Sequence, residues 1–150
     1  RGIPLKDLLI VLEKTFSRQA LSLNHIEILK NIIQICQQKK QGDIWGGYDT
    51  DGHLHAAVFV AWQKSSAYYL AGGGDPVFRK SCAHSLVLWE SIQTVKDHTS
   101  KFDFEGSMLP GVEYFFRGFG GKQIPYFAIS KGKMSLLYKA WLKIRGRITR

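Results

Sequence analysis

At Asp43 the spacing of apolar residues changes from three-and-four to two, and this change limits the fold more than any figure of composition. Before it, Pro4 begins a stretch in which Leu5, Leu8, Leu9, Leu12 and Phe16 follow the i, i+3, i+4, i+7 rhythm of an amphipathic helix. Asn24 opens a second helix with Glu27 as its capping-box partner and Ile26, Leu29, Ile33 and Cys36 along one face; Lys39, Lys40 and Gly42 close it. After Asp43, the segments Ile44 to Tyr48, His53 to Gln63 and Ala67 to Ala71 read as strands. Turns at Asp51-Gly52 and Lys64-Ser65-Ser66 join them into an antiparallel meander. In the middle strand His53, His55, Ala57, Phe59 and Ala61 share one face, and Leu54, Ala56, Val58, Val60 and Trp62 the other. Both faces become apolar towards Trp62, so this strand is expected at the centre of a sheet covered on both sides.

The second half returns to helical spacing and then alternates. Gly72-Gly73-Gly74 is read as the end of the third strand. Asp75 and Pro76 are the cap and first turn of a long helix running to about Asp97, with Phe78, Cys82, Leu86, Trp89, Ile92 and Val95 in its apolar set. Phe102 and Phe104 alternate with Asp103 and Glu105 in a strand that ends at Gly106-Ser107. A short helix from Pro110 carries Val112, Phe115, Phe116 and Phe119 on one face and stops at Gly118, Gly120 and Gly121. A further strand is expected from Gln123 to Ile129. The predicted class is α+β, a mixed sheet with helices on both faces. The segments 67–71 and 102–106 should lie parallel, with the helix from Pro76 as their crossover.

A chain of 150 residues, 45% hydrophobic, suffices for one core, taken to span residues 1–130. The charge lies elsewhere. Seven of the nine excess positive charges fall in residues 131–150, which contain no acid. That segment reads as a basic amphipathic helix, roughly Ser135 to Arg147, with Leu137, Trp141, Ile144 and Ile148 on one stripe. Trp141 is expected to pack on the domain, leaving the cations to an anionic membrane or to tRNA. No apolar run reaches the roughly 20 residues of a membrane span, and no signal peptide is visible. Because it begins at Arg1, the chain is read as an excerpt of a longer protein. Cys36 and Cys82 are read as buried free thiols, which places the protein in a reducing, cytoplasmic setting, at most against the inner membrane surface.

Five words in order, Thr15-Phe16-Ser17-Arg18-Gln19, Ala67-Tyr68-Tyr69-Leu70-Ala71-Gly72-Gly73, Leu88-Trp89-Glu90-Ser91-Ile92, Phe102-Asp103-Phe104-Glu105-Gly106-Ser107 and Phe115-Phe116-Arg117-Gly118-Phe119-Gly120, carry a family resemblance. Together with the element order, they make the chain similar to GNAT-fold acyltransferases, and within them to the Fem-like (BioF2-like) N-acyltransferase domains. The resemblance implies transfer of an acyl group from acyl-coenzyme A, acetyl-coenzyme A above all, or from aminoacyl-tRNA, to a primary amine such as that of a cell-envelope or polysaccharide precursor. It also implies a second GNAT-like domain in the parent chain, and no metal.

By the same resemblance, the donor's pyrophosphate would lie over the start of the long helix. Gly72, Gly73 and Gly74 would then allow close backbone approach, and Arg79, Lys80 and Ser81 would add charge and a hydroxyl. The family's fingerprint of a Gln or Arg followed by spaced glycines is altered here, with Cys82 and His84 at the spaced positions. Asp103 and Glu105 would share a strand face, either to orient or deprotonate the amine or simply as a solvated face. Arg117 occupies the basic position of its word, where the resemblance implies a cation near the donor or the oxyanion; a guanidinium snorkelling along an apolar face is the alternative. His53 and His55 share a face but lack a third ligand in sequence, so no metal site is assigned. His25, His84 and His98 belong to no local motif. The competing functional class is a non-catalytic module that docks a partner domain, a membrane or a polyanion. An open, polar gap between the parallel strands would favour the enzyme.

Overall fold

The computed structural model describes residues 1–18, 26–106, 109–125, 127 and 129. Its elements are α1 (Leu5–Arg18), α2 (Ile26–Gln38), β1 (Gly42–Tyr48), β2 (Leu54–Trp62), β3 (Ala67–Gly74), a 3₁₀ turn (Pro76–Ser81), α3 (Ala83–Val95), β4 (Phe102–Asp103) and α4 (Pro110–Arg117). The strands form one sheet in the order β1-β2-β3-β4. The first three are antiparallel, and β4 runs parallel to β3.

The central strand is buried as its two-sided apolar pattern requires. Ala57, Phe59 and Ala61 of β2 face Leu8, Val11 and Leu12 of α1 and Ile33 of α2. Ala56, Val58 and Val60 face Val87, Leu88 and Val95 of α3 and Phe116 of α4. Phe59, Leu8, Ile33 and Leu88 are fully buried, and each such side chain contributes about 1.5–3 kcal/mol relative to exposure. Two cores on opposite sides of one sheet hold the three-layer arrangement together.

Several boundaries differ from the sequence reading. The helix start expected at Asn24 lies outside the described residues. α2 is closed by Lys40 rather than Gly42: Lys40 takes the left-handed conformation (φ 56°), and the Gln41 N–H donates to the Cys36 carbonyl at 2.8 Å. Gly42 instead begins β1, where a Cβ would come within 2.6 Å of the Cys36 Cβ. The glycine triplet does end β3, but as its last three paired residues, opposite Ala56, Ala57 and Val58 of β2, so the strand runs to Gly74 and not only to Ala71.

The long helix is two pieces broken at Cys82, whose backbone is left-handed (φ 54°). This break changes the phase of the second piece. Val87, Leu88, Ser91 and Val95 turn inward, while Leu86 and Trp89, expected inside, are 60% and 47% exposed. Cys82 is correspondingly exposed and only Cys36 is partly covered, so the expectation of two buried thiols is corrected. β4 has two residues instead of five. Residues 121–125 carry no strand, and neither do Phe127 and Ile129, so a Gln123–Ile129 strand is absent among the described residues. The expected basic helix at 135–147 lies outside them. No helix of the described residues is long and apolar enough to cross a membrane.

Candidate active cleft

β3 pairs with β2 along its length but with β4 only at Ala67 and Tyr68. Two local features part the strands. Opposite β2, Phe59 faces Ala71 and Val60 faces Tyr69, so Leu70 is an extra residue, and a bulge of this kind bends its strand. On β4, Asp103 Oδ1 accepts a hydrogen bond from the Glu105 N–H at 2.7 Å while Glu105 adopts a left-handed backbone (φ 59°), which ends the strand at once. Beyond Tyr68 the strands diverge around a cleft of about 840 Å³. Tyr69 to Gly74 form one wall, Leu12, Thr15 and Phe16 of α1 line one end, and Cys82 to Ser85 line another. Phe104 to Gly106, with Val112, Phe115 and Phe116 of α4, close the far side.

The three glycines have separate physical reasons. A Cβ on Gly72 would lie 2.8 Å from the Ala57 carbonyl oxygen and 2.8 Å from the Tyr69 hydroxyl, so its hydrogen makes room for that phenol. A Cβ on Gly73 would collide with the Thr15 hydroxyl on the opposite face of the sheet. Gly74 meets only ordinary contacts, at 3.5 Å and beyond. All three line the cleft, yet two are required by the protein's own side chains.

The expected anion site at the turn's start is already filled. Asp75, 5% exposed, accepts a hydrogen bond from the Val77 N–H at 2.9 Å and pairs with Lys14, whose hydrogen bond holds the Asp75 carboxyl below its ordinary range. Pro76 has no N–H to offer. The next helix start lies at α3, where the N-cap Cys82 supplies no side-chain hydrogen bond and Ser81 Oγ accepts one from the Ala83 N–H at 3.3 Å. Arg79, Ser81, Cys82, Ala83, His84 and Ser85 all border the cleft there; Lys80 does not.

Of the other expected site residues, Glu105 lines the cleft and Asp103 does not. The shared strand face foreseen for the two carboxylates does not exist, because the chain turns between them. Arg117 is also off the lining. Its side chain is 64% exposed and its Nε donates to Glu113 Oε1 one helical turn away, so it neither enters the gap nor lies along the aromatics.

Three residues that sequence reasoning missed do line the cleft. Tyr69 Oη and His84 Nε2 are 3.3 Å apart, with Phe115 stacked on the His84 ring at 4.8 Å and Phe116 edge-on to Tyr69 at 5.7 Å. Burial pushes the Tyr69 phenol well above its ordinary pKa, keeping it protonated. Thr15 Oγ1 is buried without a hydrogen-bond partner, alone in this among the described residues. Their only sequence signal was membership of the quoted words for Tyr69 and Thr15, and a spaced position for His84.

Near the β1–β2 turn, ligand atoms of Asp49, Asp51 and His53 lie within 4.8 Å of one another. Asp49 accepts from the Asp51 and His53 N–H groups and from both imidazoles, His53 Nδ1 at 2.9 Å and His55 Nε2 at 3.1 Å. Desolvation opposes ionisation of Asp49, but these hydrogen bonds outweigh it and hold its carboxyl far below the ordinary range. His55 also stacks on Phe78 at 3.9 Å, tying the hairpin to the 3₁₀ turn.

The sheet is thus parted next to a bulge, with a helix start at the mouth of the gap. The chain belongs to the acetyltransferase (GNAT) domain family, whose profile matches residues 5–117. Solved structures agree in fold. A tetramutant of the BH1408 protein from Bacillus halodurans superposes with a TM-score of 0.64 at 12% identity, over 87% of this chain and 97% of that one. An acetyltransferase from Trypanosoma brucei gives 0.60 at 14%, over 87% and 96%. An aminoglycoside 6′-N-acetyltransferase from Acinetobacter haemolyticus gives 0.60 at 14%, over 90% and 98%. No curated protein matches the sequence significantly.

Proposed function

We propose that the cleft transfers an acyl group, acetyl in the simplest case, from coenzyme A to a primary amine. The observation that carries this reading is the open gap between β3 and β4, about 840 Å³, which ends on the start of α3. On β3, the edge that β4 leaves from Tyr69 to Gly74 can pair with the amides of an extended donor arm. Arg79 with Ser81 and Ser85 suits a pyrophosphate at the α3 terminus, where the helix dipole adds to the attraction. Thus the donor site moves from the glycines to residues 79–85. Glu105 is the cleft carboxylate best placed to attract an ammonium group, because the charge of Asp75 is offset by Lys14. Asp103 and Arg117 have no part in this scheme, and Lys80 has at most a peripheral one.

In the reaction the amine nitrogen attacks the thioester carbonyl, a C–N bond forms and the C–S bond breaks. Backbone N–H groups at the cleft stabilise the oxyanion between these events. The Fem-like words favour an acceptor on a cell-envelope or polysaccharide precursor, aminoacyl-tRNA as the alternative donor, and a second GNAT-like domain as partner. The cations of residues 131–150 suit tRNA or an anionic membrane. Isothermal titration of the full chain with acetyl-coenzyme A tests the donor assignment. Arg79→Ala should weaken binding by about 1–3 kcal/mol, the scale of a charge-assisted contact, and Lys80→Ala should leave it within twofold. No binding, or equal losses in both variants, would overturn the assignment.

A further inference from the structure

We propose that the β1–β2 hairpin is a binding site for one divalent transition cation of the nickel, copper or zinc class, with Asp49, Asp51, His53 and His55 as its ligands. The site stands apart from the acyl-transfer reading and does not depend on it. In sequence His53 and His55 lacked a third ligand; the fold brings two carboxylates to them. The four residues alternate with Thr50, Gly52 and Leu54 along a chain that turns back on itself between β1 and β2, which gathers them at one end of the sheet.

The distances suit an ion. His53 Nδ1 and His55 Nε2 stand 2.9 and 3.1 Å from the same carboxylate oxygen, Asp49 Oδ2, and ligand atoms of Asp49, Asp51 and His53 lie within 4.8 Å of one another. An ion held at about 2.1 Å separates ligands at right angles by about 3.0 Å and opposite ligands by about 4.2 Å. A small rotation of the exposed Asp51 side chain therefore completes the set. The ion takes the place of the hydrogens between the imidazoles and Asp49, and each neutral ring carries its N–H on the other nitrogen.

The ligands are oriented in advance. Phe78 stacks on His55 at 3.9 Å and on His53 at 5.6 Å, so one phenyl ring holds both imidazoles with a nitrogen towards Asp49. The N–H groups of Asp51 and His53 donate to Asp49 Oδ1, which leaves Oδ2 to the ligand set. Among the described residues no lysine or arginine forms an ion pair with Asp49 or Asp51, although the chain carries a net charge of +9. Two carboxylates and two neutral imidazoles leave two negative charges, which a divalent cation cancels. The mixed nitrogen and oxygen donors favour a borderline transition ion over magnesium or calcium, whose shells are oxygen alone. Phe78 belongs to the 3₁₀ turn that also carries Arg79 and Ser81, and His55 borders the cleft, so a bound ion stiffens that wall.

The test is isothermal titration of the full chain, first stripped with a chelator, with nickel, zinc and magnesium chlorides. Cys82→Ser serves as the background, because it removes the exposed thiol as a rival ligand. One nickel or zinc ion per chain should bind, at least a hundredfold more tightly than magnesium. His53→Gln and His55→Gln should each weaken binding at least tenfold. His98→Gln, which alters a histidine stacked on Trp62 at the opposite end of β2, should leave it within twofold. Loss of the His55 stack on Phe78 could loosen the hairpin, so His53→Gln, at a side chain 58% exposed, is the decisive variant, and its ion-free melting temperature should match that of the background. Nitrogen-15 spectra of the zinc-loaded protein should place the ion on Nδ1 of His53 and Nε2 of His55. No saturable binding at one equivalent, binding unmoved by His53→Gln, or magnesium bound as tightly as nickel overturns the site.

Discussion

The two faces of β3 meet at adjacent glycines and differ in what the missing side chain admits. Below Gly73 lies Thr15, whose buried hydroxyl has no partner, beside the closed Lys14–Asp75 pair. Above Gly72 lies the Tyr69 hydroxyl, which reaches across to His84. One face locks α1 onto the strand; the other holds a polar group at an open gap. Two residues that look identical in sequence therefore serve packing on one side and the cleft wall on the other.

The comparison breaks most visibly when the glycines are filled. Gly72→Ala sets a methyl against the Ala57 backbone oxygen, which cannot move without disturbing the β2–β3 ladder. A loss of about 2–3 kcal/mol is expected by denaturant unfolding. For Gly73→Ala the nearest atoms all belong to the Thr15 side chain. Its loss should be similar or smaller and should be relieved by Thr15→Ala, with a coupling of about 1 kcal/mol in a double-mutant cycle. Coupling of Gly72→Ala, rather than Gly73→Ala, to Thr15→Ala would invert the assignment of the faces.

Asp75 sharpens the contrast through pH. Its folded pKa lies below the ordinary 3.8, so its stabilising effect is present in full above about pH 4 and is lost as pH falls through the folded value. Wild type should accordingly lose more stability between pH 5 and 2 than Asp75→Asn does. Near neutral pH, Asp75→Ala should cost about 1 kcal/mol for the lost cap. Parallel acid melts of wild type and Asp75→Asn would show that Asp75 is not the group responsible.

Thr15→Val replaces an unpartnered buried hydroxyl with a methyl of similar size. It should raise stability by up to about 1 kcal/mol, whereas Tyr69→Phe should change stability little. A destabilised Thr15→Val would show that the hydroxyl is satisfied in solution. The smallest effect is expected for Arg117→Ala, which removes an exposed pair with Glu113 and should stay within about 0.5 kcal/mol in stability, with donor affinity unchanged.

Much of the architecture was legible because it depends on local period. The alternation around Phe59 announced a strand buried on both faces, and the order of segments led to the parallel pairing of Ala67 and Tyr68 with Phe102 and Asp103. Pro110 started α4 where the proline rule places it, and Asp75 capped the turn after β3. The errors occur where a distant neighbour outweighed local preference. The third strand was expected to stop at Ala71, but pairing with Ala56 to Val58 extends it through the glycines to Gly74. Nothing in the spacing of Leu86 and Trp89 reveals that Cys82 breaks the helix and turns them outward.

By itself, then, the sequence determined the meander, the doubly covered central strand, the crossover and the membership of residues 5–117 in the GNAT family, because apolar period and turn chemistry are properties of neighbouring residues. The tertiary structure alone decided where the strands part, which helix start faces the gap, and that Tyr69 and His84 approach to 3.3 Å. Those outcomes depend on a bulge opposite Phe59, a left-handed Cys82 and the absence of a Cβ at Gly72, each acting between residues that no local spacing connects.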